Sequence, residues 1–294
     1  MTARVRELAT LEKRQGPHFH QTAEKGVGVA NSEFRDEHVR LATGSIHLLR
    51  CGVGPPLVFL HHSIGSPGWL PMYATLAESC DVIVPDLPGY AGSERPNWAR
   101  EPRDLAIILA HLFDALGLND VTLVGAGFGG YVAAELAVVN ASRLARLVLI
   151  GAAGLKPEQG EIMDQMLTSH TAYAHAGFRD QEYFARIYGE DVHADVKQLW
   201  DFSREMSARV TWKPYMFSRR LAPLLANLRL PSLILWGSED QIVPLECAQL
   251  YAQALANSRV EIIAGAGHCV EMEEPARVAA LIAAFAFGQT VGGS

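Results

Sequence analysis

A series of short, almost uninterrupted apolar segments, spaced by helix-length stretches, constrains this chain more than any other feature. The segments are LVFLHH (Leu57 to His62), DVIVPD (ending at Asp86), DVTLVGAG, ARLVLIGA, PSLILWG (Pro231 to Gly237) and RVEIIAGA. Between them lie PRDLAIILAHLFDALG, GGYVAAELAVV, LECAQLYAQALA and PARVAALIAAFAFG, whose apolar residues recur at helical spacing. Strands apolar on both sides and alternating with helices predict a parallel sheet covered on both faces. Upstream, EFRDEHVRLA and SIHLLRCG alternate in polarity around Thr43-Gly44, predicting a hairpin.

From about Lys156 to Arg220 the strand rhythm stops, and EIMDQML, EYFARIYG and DVKQLWDFSREMSA predict a helical insertion. The chain therefore divides into an N-terminal arm (1–32), a core (33–155 and 221–290) and a cap (156–220). The 294 residues are 49% hydrophobic and 19% charged, enough apolar material for one large core. A net charge of −7, from 25 basic and 32 acidic residues, argues against nucleic-acid or anionic-membrane partners. The N-terminal stretch has no apolar run of signal-peptide type, and no segment has the length and apolarity of a spanning helix. A cytoplasmic protein with no membrane association is expected. Cys51, Cys80, Cys247 and Cys269 form no CxxC pair and are expected as reduced thiols. His18 and His20 alone supply too few ligands for a metal.

The pieces LVFLHHSIGS, DLPGYAGSERP, VTLVGAGFGG, PSLILWGSEDQIVP and AGAGHCVEMEEP occur in one order and in register with the strands. In this the chain resembles the α/β-hydrolase superfamily from about residue 33 onward. It looks most like the capped, single-domain bacterial group that cleaves esters and the carbon–carbon bonds of ring-fission products. The resemblance implies an α/β-hydrolase fold with an eight-stranded, mostly parallel sheet and a helical cap.

The family's sharp strand-to-helix turn carries its nucleophile between small residues. Here that turn is Gly125-Ala126-Gly127-Phe128-Gly129, and the nucleophile position is Gly127, which has no side chain to attack with. Asp240 in GSEDQIVP and His268 in AGAGHCVEMEEP match the family's acid and base; Glu239 stands one residue off the pattern. An aspartate held against one imidazole nitrogen leaves the other free to take a proton. Such a pair also arises as a purely structural network. The oxyanion donors implied are the N–H groups of Ser63 or Ile64 and of Phe128. His62 replaces the family's glycine in the run His61-His62-Ser63-Ile64 and is a candidate acid or base, or an incidental surface residue. His61 is expected to be a structural member of the loop. Ser63, Ser66, Asp86, Ser93 and Cys269 carry no strong case as a substitute nucleophile.

Three readings follow. In the first, Asp240 and His268 activate a water that attacks an ester, lactone or activated ketone, and the missing side chain at residue 127 makes room for that water. In the second, the same base works without hydrolysis, in a lyase, isomerase or cyclase. In the third, the chain is a ligand-binding or nucleophile-inactivated hydrolase. The cap residues Trp200, Trp212, Tyr215, Met216 and Phe217 are expected to supply an apolar substrate pocket, and Arg219-Arg220 a solvated face. A small organic substrate, no cofactor, no metal and a homodimer are the remaining expectations; the glycines near residue 127 do not form a dinucleotide fingerprint.

Overall fold

The computed structural model describes residues 34–288. The predicted arm therefore lies outside the described residues. The hairpin forms as β1 (Arg35–Leu41) and β2 (Gly44–Cys51), antiparallel, with Leu41 paired to Gly44 across an Ala42-Thr43 turn. The remaining strands are β3 (Pro56–Leu60), β4 (Asp81–Pro85), β5 (Val121–Ala126), β6 (Leu144–Ile150), β7 (Ser232–Gly237) and β8 (Ser258–Ile263). They build one eight-stranded sheet in the order β1-β2-β4-β3-β5-β6-β7-β8. β2 meets β4 antiparallel, and every later pairing is parallel. This is the α/β-hydrolase fold that the sequence resemblance implies.

Its helices are α1 (Pro71–Ala77), α2 (Pro102–Ala115), α3 (Phe128–Asn140), α4 (His170–Ala176), α5 (Gln181–Tyr188), α6 (Ala194–Thr211), α7 (Leu221–Leu225), α8 (Glu246–Ala254), α9 (Val270–Glu273) and α10 (Pro275–Ala286). The central strands are apolar throughout because helices cover both faces: every residue of β5 and of β7 is buried. α2 starts where a capping box, formed by Glu101 and Asp104, satisfies backbone N–H groups around Pro102. Helices α4 to α6 lie between β6 and β7 and form the cap insertion.

α3 runs immediately against the sheet, and small residues make that approach possible. A β-carbon on Gly129 would collide with the Leu60 carbonyl oxygen and stand 2.5 Å from that of His61. Backbone cannot retreat as a side-chain tip can. Gly129→Ala is therefore expected to cost about 1–3 kcal/mol or more, by overpacking. Denaturant unfolding monitored by circular dichroism would register it as a lowered midpoint at unchanged slope.

Candidate active site

The site sits where the parallel strands end. β5 hands over to α3 through Gly127, whose φ of 54° and ψ of −115° lie in a region that side chains strain to occupy. Its backbone is locked: the Gly127 N–H donates to the Ile150 carbonyl at 2.9 Å, and its own carbonyl accepts from Ala153 N–H at 3.0 Å. The sharp turn expected at 125–129 is thus present.

β7 ends in a loop that delivers Asp240. Its Oδ1 accepts from the Ile242 and Val243 N–H groups at 2.8 and 2.9 Å, and its Oδ2 accepts from His268 Nδ1 at 2.8 Å. The Asp240 side chain has no exposure and that of His268 only 6%. Three donors on a desolvated carboxylate hold it in one orientation and fix the His268 tautomer with its proton on Nδ1. Nε2, the basic nitrogen, then lies 2.9 Å from the point a β-carbon on residue 127 would occupy. Glu239, beside Asp240, is surface-exposed and pairs instead with Arg179.

A second imidazole reaches the same point. His62, at the end of β3, places Nδ1 against that β-carbon position even more closely than His268 does. The two rings are 4.8 Å apart between centroids and inclined at 58°. On its far side, His62 Nε2 meets Glu271 Oε1 at 2.8 Å. Glu271 has no side-chain exposure, and its other oxygen and His62 Nδ1 are both buried without a hydrogen-bond partner among the described residues. The geometry corrects one expectation. The absence of a side chain at residue 127 does not leave room for water at that point, because the His62 ring fills it. His62 is not a surface residue either; it is 3% exposed.

His61 has the structural place expected of it. Its Nδ1–H donates to the His62 carbonyl at 2.7 Å and its Nε2 accepts from Leu87 N–H at 2.9 Å, tying the β3 loop to the β4 loop. Burial pushes its pKa down, so the ring stays neutral. Ser63 and Ile64 follow in the same loop, and Phe128 stands at the first position of α3, where backbone N–H groups have no intrahelical acceptor. Ser66 bonds to Gly68 in its own turn. Asp86 and Ser93 belong to the loop after β4, where the Ser93 hydroxyl donates to the Asp86 carbonyl at 2.7 Å. Burial and the surrounding acidic groups hold the Cys269 thiol well above its ordinary range, which leaves it un-ionised and poorly nucleophilic.

Between base and cap lies a cavity lined by His62, Ser63, Ile64, Tyr173, Ile242 and His268, among others. It leaves about 10 Å³ to the centre of a water molecule, the room one water needs. The Tyr173 hydroxyl, from α4, lies 3.3 Å from Ser63 Oγ. Burial holds its pKa well above 10, so it stays protonated and can donate. The aromatic residues expected in the pocket stand elsewhere. Trp200 is buried within the cap against Tyr188 and His170. Trp212 is 66% exposed, and Met216 is buried beside the bridge from Gly154 to Phe217. The Tyr215 hydroxyl is engaged by Gln165 N–H at 2.9 Å. Apolar character marked the cap correctly but could not say which face of each helix looks down. Arg220 pairs at the surface with Glu101.

The residues that sequence reasoning passed over are Glu271, Tyr173 and Glu273. The spacing His268-x-x-Glu271 was visible, but nothing local linked that acid, on α9, to His62. Glu273 fastens the cap to the base loop. Its Oε1 accepts from Arg179 N–H at 2.7 Å and Asp180 N–H at 2.8 Å, and its Oε2 from Gly267 N–H at 2.5 Å. The adjoining Cys269 N–H donates to the Gly177 carbonyl at 2.8 Å.

Residues 57–281 match the model of the Alpha/beta hydrolase family. The chain belongs to that family. This α/β hydrolase is 32% identical over 249 residues to the 2-hydroxymuconate semialdehyde hydrolase of Pseudomonas sp. (strain CF600), covering 80% of this chain and 87% of that one. It is 28% identical over 243 residues to the 2-hydroxy-6-oxo-2,4-heptadienoate hydrolase of Pseudomonas putida, with 76% and 86% coverage. Among solved structures it resembles the 2-hydroxy-6-oxo-6-phenylhexa-2,4-dienoate hydrolase of Rhodococcus sp. strain RHA1. The TM-score is 0.70 at 21% identity, covering 88% of this chain and all of that one (100%). This α/β hydrolase is therefore a hydrolase-like protein related to ester and carbon–carbon bond hydrolases. Among the described residues no helix is long and apolar enough to cross a membrane.

Proposed function

We propose that this chain is a hydrolase-like enzyme that cleaves a small apolar ester, lactone or activated ketone with water as the direct nucleophile. The observation that supports the reading is the convergence of His268 Nε2, with Asp240 behind it, on a water-sized cavity beside a glycine elbow. His268 takes a proton from the water as the water oxygen attacks the carbonyl carbon. The oxyanion that forms is met by the N–H groups of Ser63 or Ile64 and of Phe128. When the tetrahedral species collapses, the His268 imidazolium returns its proton to the leaving oxygen or carbon. Nothing in the sequence of steps needs a side chain at residue 127.

His62 and Glu271 act as a second proton-holding pair on the other side of the same point. His62 turns Nε2 to Glu271 and Nδ1 to the elbow. The two named relatives act on a semialdehyde and a keto-dienoate by their names. A ring-fission diketone is accordingly the first substrate to try, with aryl esters and lactones beside it.

Initial rates on such a panel, followed by acid quench and intact-protein mass, test the proposal. Turnover without a covalent adduct is expected. An adduct of acyl mass would overturn the direct-water route, and no turnover in any class would overturn hydrolysis. In that event the second reading gains, since two imidazoles at one point also suit proton transfer between carbon atoms. Within the first reading, Asp240→Asn is expected to fold and to lose about 10⁴-fold in kcat, because an amide no longer enforces the Nδ1–H tautomer.

A further inference from the structure

We propose that Asp36, His38 and His47 bind one divalent transition-metal ion of the zinc class on the outer hairpin of the sheet, away from the elbow. His38 and His47 are directly opposed across β1 and β2. Asp36, two residues before His38 on β1, projects from the same face. Their ligand atoms all lie within 4.8 Å of one another. His47 Nε2 is 2.9 Å from Asp36 Oδ1, and the His38 and His47 rings are 5.0 Å apart between centroids. Zinc–ligand bonds are about 2.0–2.2 Å, so the ligands must draw slightly closer. Asp36 and His38 are both exposed and can turn to do so, while buried His47 stays in place.

The surroundings of His47 argue for a metal rather than for a chance surface group. Its Nδ1 faces the buried Asp86 Oδ2 at 2.7 Å, and Gly92 N–H donates to that same oxygen at 2.9 Å. The Asp86 N–H donates in turn to the His47 carbonyl at 2.9 Å. A metal-binding histidine characteristically gives its other ring N–H to a carboxylate, which fixes the ring and raises its basicity. Here Asp86 takes that place, and Nε2 faces Asp36 Oδ1, the pair between which the ion would sit. Two carboxylates, Asp36 and Asp86, flank the His47 ring. A dication shared by His47, Asp36 and His38 would be neutral together with Asp36 and Asp86. Two imidazoles and one carboxylate suit zinc, nickel or copper and not magnesium or calcium. A water completes a tetrahedral set.

Such an ion clips the outermost strand to its neighbour and, through Asp86, to the loop after β4. The test is calorimetric titration of zinc chloride into the metal-stripped full chain, with thermal unfolding in parallel. One-to-one binding is expected, with Tm raised by about 5 °C at roughly hundredfold excess over Kd. His38→Ala and Asp36→Asn, both at exposed positions, should each weaken binding by about 10–100-fold or more, while His268→Ala leaves it unchanged. A His18→Ala/His20→Ala variant should bind as the parent does. No binding, binding indifferent to His38→Ala, or binding lost in the His268 or His18/His20 variants would overturn the assignment.

Discussion

Replacing His268 with alanine should reduce kcat by about 10²–10⁴-fold on whichever panel substrate is turned over, the range general-base catalysis supplies. The protein should remain folded. Asp240 keeps the Ile242 and Val243 N–H groups after the imidazole is gone, so the buried carboxylate is not left unpartnered. The loop itself stays anchored by the Cys269 and Gly267 N–H groups, which bond outside the ring. Rate and unfolding midpoint, measured on the same preparation, separate loss of the base from loss of the fold. Unchanged turnover in a folded His268→Ala protein would remove His268 from the mechanism.

The second large effect is expected from Gly127→Ser, the change that would seem to rebuild a serine triad. A serine β-carbon there collides with His62 Nδ1 and stands 2.9 Å from His268 Nε2. It also forces a side chain onto a φ of 54°. Dihedral strain and overpacking together should cost about 2–4 kcal/mol, roughly 5–15 °C in Tm for a domain of this size. Relief requires the His62 ring to swing away, which breaks its bond to Glu271 and leaves a buried acid alone. Activity should fall and not rise. Gly127→Ala should behave alike, because the β-carbon and not the hydroxyl does the damage. A stable, faster Gly127→Ser protein, seen in paired melting curves and initial rates, would show that His62 is not a built-in occupant of the elbow.

Much of this was legible from the chain. Apolar runs on both sides of Val121–Ala126 and Ser232–Gly237 announce buried parallel strands, and the structure has them. Asp240 and His268 could be picked out because each stands after a strand at the position that the family resemblance implies for its acid and base, and those strands, β7 and β8, lie side by side. The pairing of His62 with Glu271 was not legible, since 209 residues separate them and neither carries a local pattern. Cap side chains failed for a different reason. A short helix such as α4 is amphipathic only relative to whatever packs beneath it, so Tyr173 and not Trp200 turned out to meet the cavity.

One carboxylate, Glu273, grips both the cap at Arg179 and Asp180 and the base loop at Gly267. The cavity beside that corner leaves about 10 Å³ to the centre of a water molecule. A strain at that corner of the cap is therefore passed to the backbone next to His268 through one shared carboxylate.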